Sequence, residues 1–387
     1  MNNPIHSIIK AVCSIVTLVC VLMIPGQNTF AEYTNPILKV LLFKATGGIR
    51  LSSDAALKSN KVKLSKAASS GVLIKPAASE KGFIVNGHLV KIDSMEFSSS
   101  QVIQVKKTNS DFKRRYLGKI ELLSAKNGFY VINHIPIESY LEGVLNAEIS
   151  TNWPIEVVKA QSIISRTFAL YKREKQINSA WHITSGQFDQ VYKGFNISDK
   201  RGNYAVQSTQ GIIVSHNGQL ALTFYHSNCG GVTEDPGSLW NGSFPYLKSR
   251  SVPYGQSDPK FYWQATLSDS ELKKILIKSG IRITKISDVT ILNHNPSGRV
   301  QLLEFNHSPK YRLQAKTFRQ NAGYKRIQSL LFDVIKVPGG FYFKGKGNGH
   351  GVGLSQWSAK EMAETGYSYH EILGFFYKDI MLKKYRG

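Results

Sequence analysis

The chain has 387 residues, 42% of them hydrophobic and 11% aromatic, with a formal net charge of +23. This composition excludes an intrinsically disordered protein, and the length predicts one large domain or two moderate ones. The positive charge indicates a polyanionic partner, which could be nucleic acid, anionic lipid headgroups or an anionic polymer of the cell envelope.

The first 31 residues have the pattern of a secretory signal. Lys10 precedes a mostly apolar run over residues 11–24, and Thr29-Phe30-Ala31 ends with the residues that a signal peptidase reads. The run has 14 residues, whereas a membrane span needs about 20. We therefore predict a signal peptide over residues 1–31 and a secreted or cell-envelope protein, with an uncleaved membrane anchor as the alternative. Export argues against nucleic acid as the partner and leaves an anionic envelope polymer possible.

The cysteines predict neither a disulfide nor a metal site. Cys13 and Cys20 lie in the predicted signal, which leaves Cys229 alone in the mature chain. No CxxC or HExxH pattern occurs, so we expect no metal and no cofactor.

Residues 32–132 are predicted to form a β-rich N-terminal region. Short apolar runs begin at Ile37, Gly71, Gly82 and Gly128, and turn-forming Gly, Ser and Asn residues separate them. The Lys-, Ser- and Ala-rich stretch 53–70 is predicted to be an exposed loop or a weak helix.

A helix pair is predicted over about residues 136–174, with Pro136 and Pro154 at first-turn positions. In the second helix, Lys159 and Arg166 are seven residues apart and so lie two turns apart on one face. The two cations could bind a substrate or stabilise a nearby carboxylate. The alternative is an ordinary solvated face.

The first helix carries a carboxylate where a hydrophobic residue is expected. The i, i+3, i+4, i+7 spacing of a buried face is occupied by Leu141, Val144, Leu145 and Glu148. A buried glutamate has a raised pKa, which suits a general acid. The alternative is a helix-end residue that faces solvent or pairs with a cation.

The rest of the chain is predicted to be loop-rich over residues 180–265, followed by a small α/β section at about 270–340 and a helical tail. The predicted strands lie at 211–214, 220–225, 286–292, 300–305 and from Gly340, and the helices at about 268–279, 316–331, 355–365 and 368–378, with Gly366 ending the third.

Two turns could carry chemistry. Residues 345–357 alternate glycine with other residues and present His350, but they match neither a Walker loop nor a dinucleotide fingerprint. A purely structural turn is the alternative. Cys229 could act as a nucleophile with His226 or His350 as its base, although an oxidising compartment disfavours a lone catalytic thiol.

Five segments, in this order, resemble the SpoIID/LytB family of stage II sporulation protein D and amidase-enhancer proteins. They are IPIESYLEGVLNAE (135–148), WPIEVVKAQSIISRTF (153–168), QVYKG (190–194), FYHSNCGG (224–231) and GNGHGVGLSQ (347–356). The resemblance covers about residues 116–377.

The resemblance implies binding of peptidoglycan glycan strands and, in the sporulation branch, lytic transglycosylase action on peptide-stripped glycan. The family's catalytic glutamate falls on Glu148, and its helix cations fall on Lys159 and Arg166. We expect the groove to be lined further by Gln161, Tyr192, Ser227, His350 and Gln356. Some members hold zinc near the QVY segment, but residues 181–192 contain no cysteine, so we expect no zinc here.

The sequence therefore predicts an α+β fold of antiparallel β-sheets, with a central helix pair and C-terminal helices around a substrate cleft. Residues 133–387 would form the catalytic or glycan-binding core. The predicted function is a lytic transglycosylase with Glu148 as its single acid and base. In this reaction a hydroxyl group of the substrate itself attacks the anomeric carbon, so the second carboxylate that an ordinary glycosidase needs is not required. The alternative is a non-catalytic wall-binding protein that recruits or enhances an amidase.

Overall fold

A computed structural model describes residues 33–64, 71–77, 81–195, 199–240 and 242–386, so the predicted signal peptide lies outside the described residues. The N-terminal part is built of strands, as predicted. These strands are β1 (Ile37–Ala45), β2 (Ile49–Ser52), β3 (Lys58–Ser59), β4 (Val72–Pro76), β5 (Phe83–Val85), β6 (His88–Val90), β7 (Ser94–Ser98), β8 (Ile103–Lys107), β9 (Lys113–Tyr116), β10 (Lys119–Ala125) and β11 (Gly128–Pro136).

The remaining chain mixes helices with short strands. Its elements are α1 (Ile137–Glu148), α2 (Ile155–Lys175), β12 (Ile183–Thr184), α3 (Lys200–Ser208), β13 (Ile212–His216), β14 (Gln219–Leu220), β15 (Tyr225–His226), β16 (Tyr262–Ser268), α4 (Asp269–Lys278), β17 (Val289–His294), β18 (Val300–Phe305), β19 (Arg312–Gln314), α5 (Ala315–Ala322), β20 (Phe332–Val337), β21 (Gly340–Lys346), β22 (Leu354–Ser355), α6 (Gln356–Glu364), α7 (Tyr369–Phe376) and β23 (Met381–Lys384).

Two six-stranded sheets dominate the N-terminal part, with strand orders β12-β1-β11-β10-β7-β3 and β6-β5-β4-β2-β8-β9. Every strand pair in them is antiparallel except the short parallel pair of β1 and β12. Alternate side chains of each strand point to opposite faces, so the fully buried Leu38 and Val40 of β1 share the inner face. The expected α+β class with mostly antiparallel sheets is confirmed.

The helix pair lies against the first of these sheets. α1 continues directly from β11 and packs on it and on α2, and α2 also contacts β1 and β13. Pro136 and Pro154 cap the two helices from the position before the first helical residue, one position earlier than predicted. The first helix of the pair ends at Glu148.

Residues 262–346 form a section with a hydrophobic core of its own, which includes Trp263, Phe318 and Phe343. The section enters and leaves on neighbouring strands, because β16 pairs with β21 from Tyr262 opposite Lys346 to Ser268 opposite Gly340. Two three-stranded sheets, β16-β21-β20 and β17-β18-β19, enclose that core together with α4 and α5.

The predicted helix at 316–331 is wrong in its second half. α5 ends at Ala322, and Gly323 follows with a φ of +95°, a left-handed conformation that stops a helix. The Arg319 guanidinium then donates hydrogen bonds to the backbone carbonyls of Ile327 and Gln328 at 2.9 and 2.7 Å. Side-chain bonds therefore hold the segment that was predicted to be helical.

The predicted strand at 220–225 is also wrong. Only its ends pair, in β14 and β15, while Leu222 donates its N–H to the Tyr246 hydroxyl at 2.8 Å and Phe224 accepts from the Tyr377 hydroxyl at 2.6 Å. These side-chain partners satisfy the backbone in place of a ladder. In the stretch 53–70, the described residues 53–64 contain the short strand β3 and no helix.

Residues Asn35–Tyr385 form one compact unit. The domain division at residue 132 falls within β11 and stays a prediction. In the part of the chain that the structure describes, no helix has both the length and the apolar character needed to cross a membrane.

Candidate functional site

Glu148 is the last residue of α1 and stands at the end of its buried face. Leu141, Val144 and Leu145 are fully buried, as predicted, whereas Glu148 is half-buried. The helix ends here because Ile149 is extended, with φ −139° and ψ 155°. The carboxylate therefore sits at the negative end of the helix dipole, which disfavours its ionised form.

Three groups from other segments face the Glu148 carboxyl. The Val191 backbone N–H donates to its Oε1 at 2.5 Å. The Tyr225 hydroxyl lies within hydrogen-bonding reach, and the Lys193 ammonium is close enough to act on the charge. Burial nevertheless dominates and raises the pKa of Glu148 above its ordinary value of 4.5, while the three groups pull the pKa back down.

Gly143 allows the loop that carries Val191 and Lys193 to approach α1. A Cβ at position 143 would stand 2.5 Å from both the Gly194 carbonyl oxygen and the Tyr192 ring. The Lys193 backbone N–H also donates to the Gly143 carbonyl at 3.4 Å. The glycine in the middle of the helix is thus explained by close backbone approach, which sets the position of the donor to Glu148.

An open cleft of about 430 Å³ lies at the end of α1. It is lined by residues 146–153 together with Ser227, Gln356 and Trp357. Glu148 is the one ionisable side chain among these described lining residues, and most of the others are polar and uncharged. The cleft therefore offers one carboxyl group and many neutral hydrogen-bonding partners.

A pair of tryptophans forms part of the cleft wall. The rings of Trp153 and Trp357 meet edge to face with centroids 4.8 Å apart, and the Lys360 ammonium lies 6.0 and 5.3 Å from the two ring centres. We did not predict either tryptophan as a site residue. Trp153 begins the 153–168 segment, and Trp357 directly follows the 347–356 segment. Their places in the family motifs were the signal that could have identified them as site residues.

Ser227 and Gln356 reach the cleft through the parallel pairing of β15 with β22. The Trp357 N–H donates to the Ser227 carbonyl at 3.0 Å. The Gln356 amide donates to the backbone carbonyl of Glu148 and to the fully buried Gln161, both at 3.2 Å. Three predicted residues, Gln161, Ser227 and Gln356, are thus brought together with Glu148.

His350 is not among the residues that line the cleft and lies in an aromatic cluster. Its ring centroid is 5.3 Å from that of Trp240 and 6.1 Å from that of Phe224. Its Nδ1 accepts from the Val352 N–H at 3.0 Å, and the ring also bonds to the Tyr225 backbone. Burial, with the nearby Arg319 charge, lowers its pKa to about 3, so the ring is neutral at physiological pH.

Arg166 does not reach the cleft, in contrast to the predicted role in substrate binding. It is fully buried, and its Nε and Nη2 donate to the two carboxylate oxygens of Glu138 at 2.9 and 2.7 Å. Further bonds run to the carbonyls of Ile212 and Val206. Because no face of the guanidinium is open, Arg166 joins α1, α2 and β13 instead of contacting a ligand.

Lys159 and Tyr192 also lie apart from the cleft lining. The Lys159 ammonium pairs with Glu156 at 2.8 Å and stands 5.8 Å from the Tyr369 ring centre. Tyr192 is 1% exposed, and its hydroxyl donates to Asn133 at 2.9 Å. Spacing placed Lys159 on a helix face but could not show that its ammonium pairs with Glu156 outside the cleft lining.

Cys229 is fully buried, and its Sγ lies 3.8 Å from the Ser358 hydroxyl. In the described ranges, no three His, Cys, Asp or Glu side chains lie close enough together to share a metal ion.

Comparison with known proteins agrees with the resemblance that the motifs carry. The family model of stage II sporulation protein, SpoIID, matches residues 125–216, which include α1, α2 and the loop bearing Val191. A second model, a domain of unknown function, matches residues 246–353 and so covers the section 262–346.

Three relatives extend the match. An uncharacterized protein of Brachyspira hyodysenteriae is 31% identical over 271 residues, which are 70% of this chain and 73% of the relative. Stage II sporulation protein D of Bacillus subtilis is 29% identical over 279 residues, covering 66% of this chain and 78% of that protein. The amidase enhancer of Bacillus subtilis is 27% identical over 294 residues, which are 63% of this chain but only 40% of the enhancer. The chain belongs to the SpoIID family.

Proposed function

We propose that the protein is an exported peptidoglycan lytic transglycosylase that cleaves the bond between N-acetylmuramic acid and N-acetylglucosamine in peptide-stripped glycan. The observation that carries this proposal is the Glu148 carboxyl, which stands at the cleft with a pKa raised by burial. A carboxyl group with a raised pKa holds its proton to higher pH than an ordinary glutamate does, which suits a general acid.

In this reaction one carboxyl group acts first as the general acid and then as the general base. Protonated Glu148 donates its proton to the glycosidic oxygen, the bond from that oxygen to the muramoyl anomeric carbon breaks, and the N-acetylglucosamine end leaves as an alcohol. The resulting carboxylate then takes the proton of the muramoyl 6-hydroxyl as its oxygen bonds to the anomeric carbon. The product has a 1,6-anhydro end, and Glu148 is again protonated.

The composition of the cleft favours this chemistry over hydrolysis. A glycosidase with the usual mechanism needs a second carboxylate, as a nucleophile or to activate water. Glu148 is the one carboxylate among the described residues that line the cleft. Because the muramoyl hydroxyl is part of the substrate, internal attack needs no second acid from the protein.

The remaining cleft residues suit a sugar chain. Trp153 and Trp357 offer aromatic faces for the apolar side of a pyranose ring, and neutral side chains such as Asn146 and Asn152 can bond to hydroxyl and acetamido groups. Lys193 is exposed near Glu148 and can attract the carboxylate of a muramoyl group. In this proposal Lys193 takes the role that the sequence suggested for Lys159 and Arg166.

Digestion of peptide-stripped glycan strands tests the proposal. Wild-type protein should release 1,6-anhydro ends, detected by mass spectrometry, and Glu148→Gln should release none. Glu142→Gln is the matched control, because Glu142 is a half-buried carboxyl on the same helix whose pKa burial also raises. Equal yields of anhydro ends from wild type and Glu148→Gln would reject the mechanism.

The second candidate is a non-catalytic wall-binding protein that enhances an amidase, and the similarity to the Bacillus subtilis amidase enhancer favours it. A polar cleft with two tryptophans could bind glycan without cleaving it. Incubation with purified sacculi separates the two candidates: binding without new glycan ends, together with faster release of stem peptides when an amidase is added, would identify an enhancer. Cell fractionation tests export independently.

A further inference from the structure

The side chain of Gln190 is fully buried and lies between two tyrosines near Glu148. Its Oε1 accepts a hydrogen bond from the Tyr140 hydroxyl at 3.2 Å. Its Nε2 donates to the Tyr225 hydroxyl at 3.3 Å and to the Ser165 carbonyl at 3.4 Å. Both ends of the amide are therefore occupied, which fixes its orientation.

The orientation of Gln190 decides what the Tyr225 hydroxyl can do. Its oxygen accepts from the Gln190 amide, so its own hydrogen is available to an acceptor. The Glu148 carboxyl accepts that hydrogen, and the Ser165 hydroxyl also lies within hydrogen-bonding reach of Tyr225. The neighbouring Val191 N–H, next to Gln190 in the chain, binds the same carboxyl from a different segment at 2.5 Å.

We propose that Tyr225, held by Gln190, is a positioning residue that orients the Glu148 carboxyl and donates a hydrogen bond to the carboxylate left after proton transfer. This inference rests on the proposed function for its role in the reaction. The contact itself is a property of the folded protein that can be measured without substrate.

The other groups that face Glu148 complete the electrostatic setting. Lys193 comes from the same loop as Val191, and Tyr140 comes from α1 itself. From α6, Gln356 donates its neutral amide to the backbone carbonyl of Glu148. Burial raises the pKa of Tyr225 and of Tyr140 well above 10. Both hydroxyls therefore keep their protons while Glu148 gives up and regains its own, and they act as donors and not as acids.

Carbon-13 NMR of protein labelled at the glutamate carboxyl carbon tests this inference, with the Glu148 resonance assigned by its loss in Glu148→Gln. Tyr225→Phe removes the donor to the carboxylate, so the pKa of Glu148 should rise. Tyr140→Phe releases the far end of Gln190 and should raise that pKa by a smaller amount. Tyr377→Phe is the matched control, because it removes a fully buried hydroxyl that donates to Phe224 and is not in contact with Gln190.

Activity provides a second readout. A general acid works in its protonated form, so the fall of kcat/KM at high pH should move to higher pH in Tyr225→Phe, and kcat should drop about tenfold with little change in KM. An unchanged pKa of Glu148 in both Tyr225→Phe and Tyr140→Phe would overturn the inference. Should wild type yield no anhydro ends, the proposed function fails, yet the titration still decides the role of Tyr225.

Discussion

The Val191 backbone N–H donates to the Glu148 Oε1 at 2.5 Å, although 43 residues separate the two in the chain. The contact exists because Gly143 lets the Val191 loop lie directly on α1. A backbone donor can neither rotate away nor titrate. The Val191 N–H therefore stays a hydrogen-bond partner of the carboxylate throughout each catalytic cycle of the proposed reaction.

Gly143→Ala should be destabilising, although alanine favours a helix. The added methyl group would stand 2.5 Å from the Gly194 carbonyl and the Tyr192 ring, and we expect a loss of about 2–3 kcal/mol in the free energy of unfolding. Gly374→Ala on α7 is the control, because nothing lies within 4 Å of its added methyl, and it should stabilise by about 0.5–1 kcal/mol. Urea unfolding measures both, and a stabilised Gly143→Ala would contradict the close approach.

Glu148→Gln should raise the stability at neutral pH. The pKa of Glu148 is raised in the folded state, so the folded protein holds this proton to higher pH than the unfolded chain does. Above the folded pKa the ionised carboxylate disfavours folding, whereas below pH 4.5 the group is protonated in both states. The melting temperature of Glu148→Gln should therefore exceed that of wild type by about 2 °C at pH 7, and the difference should vanish near pH 4. An equal difference at both pH values would count against a raised pKa.

Arg166→Met should destabilise the protein strongly, because it leaves the Glu138 carboxylate in a buried place without its bidentate partner. Loss of one member of a buried ion pair costs about 3–5 kcal/mol. Lys159→Met removes a partly exposed pair with Glu156 and should cost about 1 kcal/mol or less. Chemical unfolding compares the two. A stable Arg166→Met that has lost glycan binding would instead support a direct role of Arg166 towards the substrate.

Trp153→Ala and Trp357→Ala should weaken glycan binding in the Glu148→Gln background, where no cleavage interferes. Loss of one aromatic face should raise Kd about tenfold. Trp181→Ala is the control, because Trp181 packs on Tyr130, with ring centroids 4.9 Å apart, and does not line the cleft. Calorimetric titration with peptide-stripped glycan gives the three values. Equal Kd values for the three variants would exclude the tryptophan wall as a sugar-binding surface.

Stability should fall as the pH drops below 6.5, because buried histidines stay neutral in the folded protein. Burial lowers the pKa of His182 to about 4 and that of His350 to about 3, and it lowers the pKa of His226 well below 6.5. The unfolded chain then binds more protons, so the stability present above pH 6.5 is lost as the pH falls towards the folded values.

His182→Asn tests this dependence, because its amide oxygen can still accept from the Lys39 N–H that His182 Nδ1 now binds at 3.1 Å. In this variant the loss of stability between pH 7 and pH 4 should shrink by about 1–2 kcal/mol. Asparagine at the exposed His88 serves as the control. The same loss in wild type and His182→Asn would refute the burial argument.

The sequence predicted those parts of the site that depend on spacing within one element. The i, i+7 relation placed Glu148 at the end of the face formed by Leu141, Val144 and Leu145, because helix periodicity is local. Most of the predicted strands and helices followed from the same kind of pattern, although the strand predicted at 220–225 did not form. The helix at 316–331 was predicted too long because the left-handed Gly323 and the carbonyl bonds of Arg319 override the helical pattern.

The contacts that define the environment of Glu148 could not be predicted in this way. Val191 and Tyr225 lie in segments without periodicity and reach Glu148 only through the tertiary fold. The helix face of Arg166 was identifiable, but its partner Glu138 belongs to the other helix, and no spacing rule relates the two. Packing between elements decides whether a charged side chain such as that of Arg166 is buried or faces solvent.

The chain enters and leaves the section 262–346 at neighbouring points. Phe261, just before the section, accepts a hydrogen bond at its carbonyl from the N–H of Gly347, just after it, at 2.7 Å. The backbone on either side of the section would therefore need little rearrangement if the section were shortened, enlarged or exchanged. Arg299 reaches out of it to the carbonyls of Cys229 and Val232 at 2.9 and 3.0 Å, in the segment that follows β15. Because Val191, Lys193 and Tyr225 all lie outside the section, a change in its length or outer surface would leave the partners of Glu148 in place.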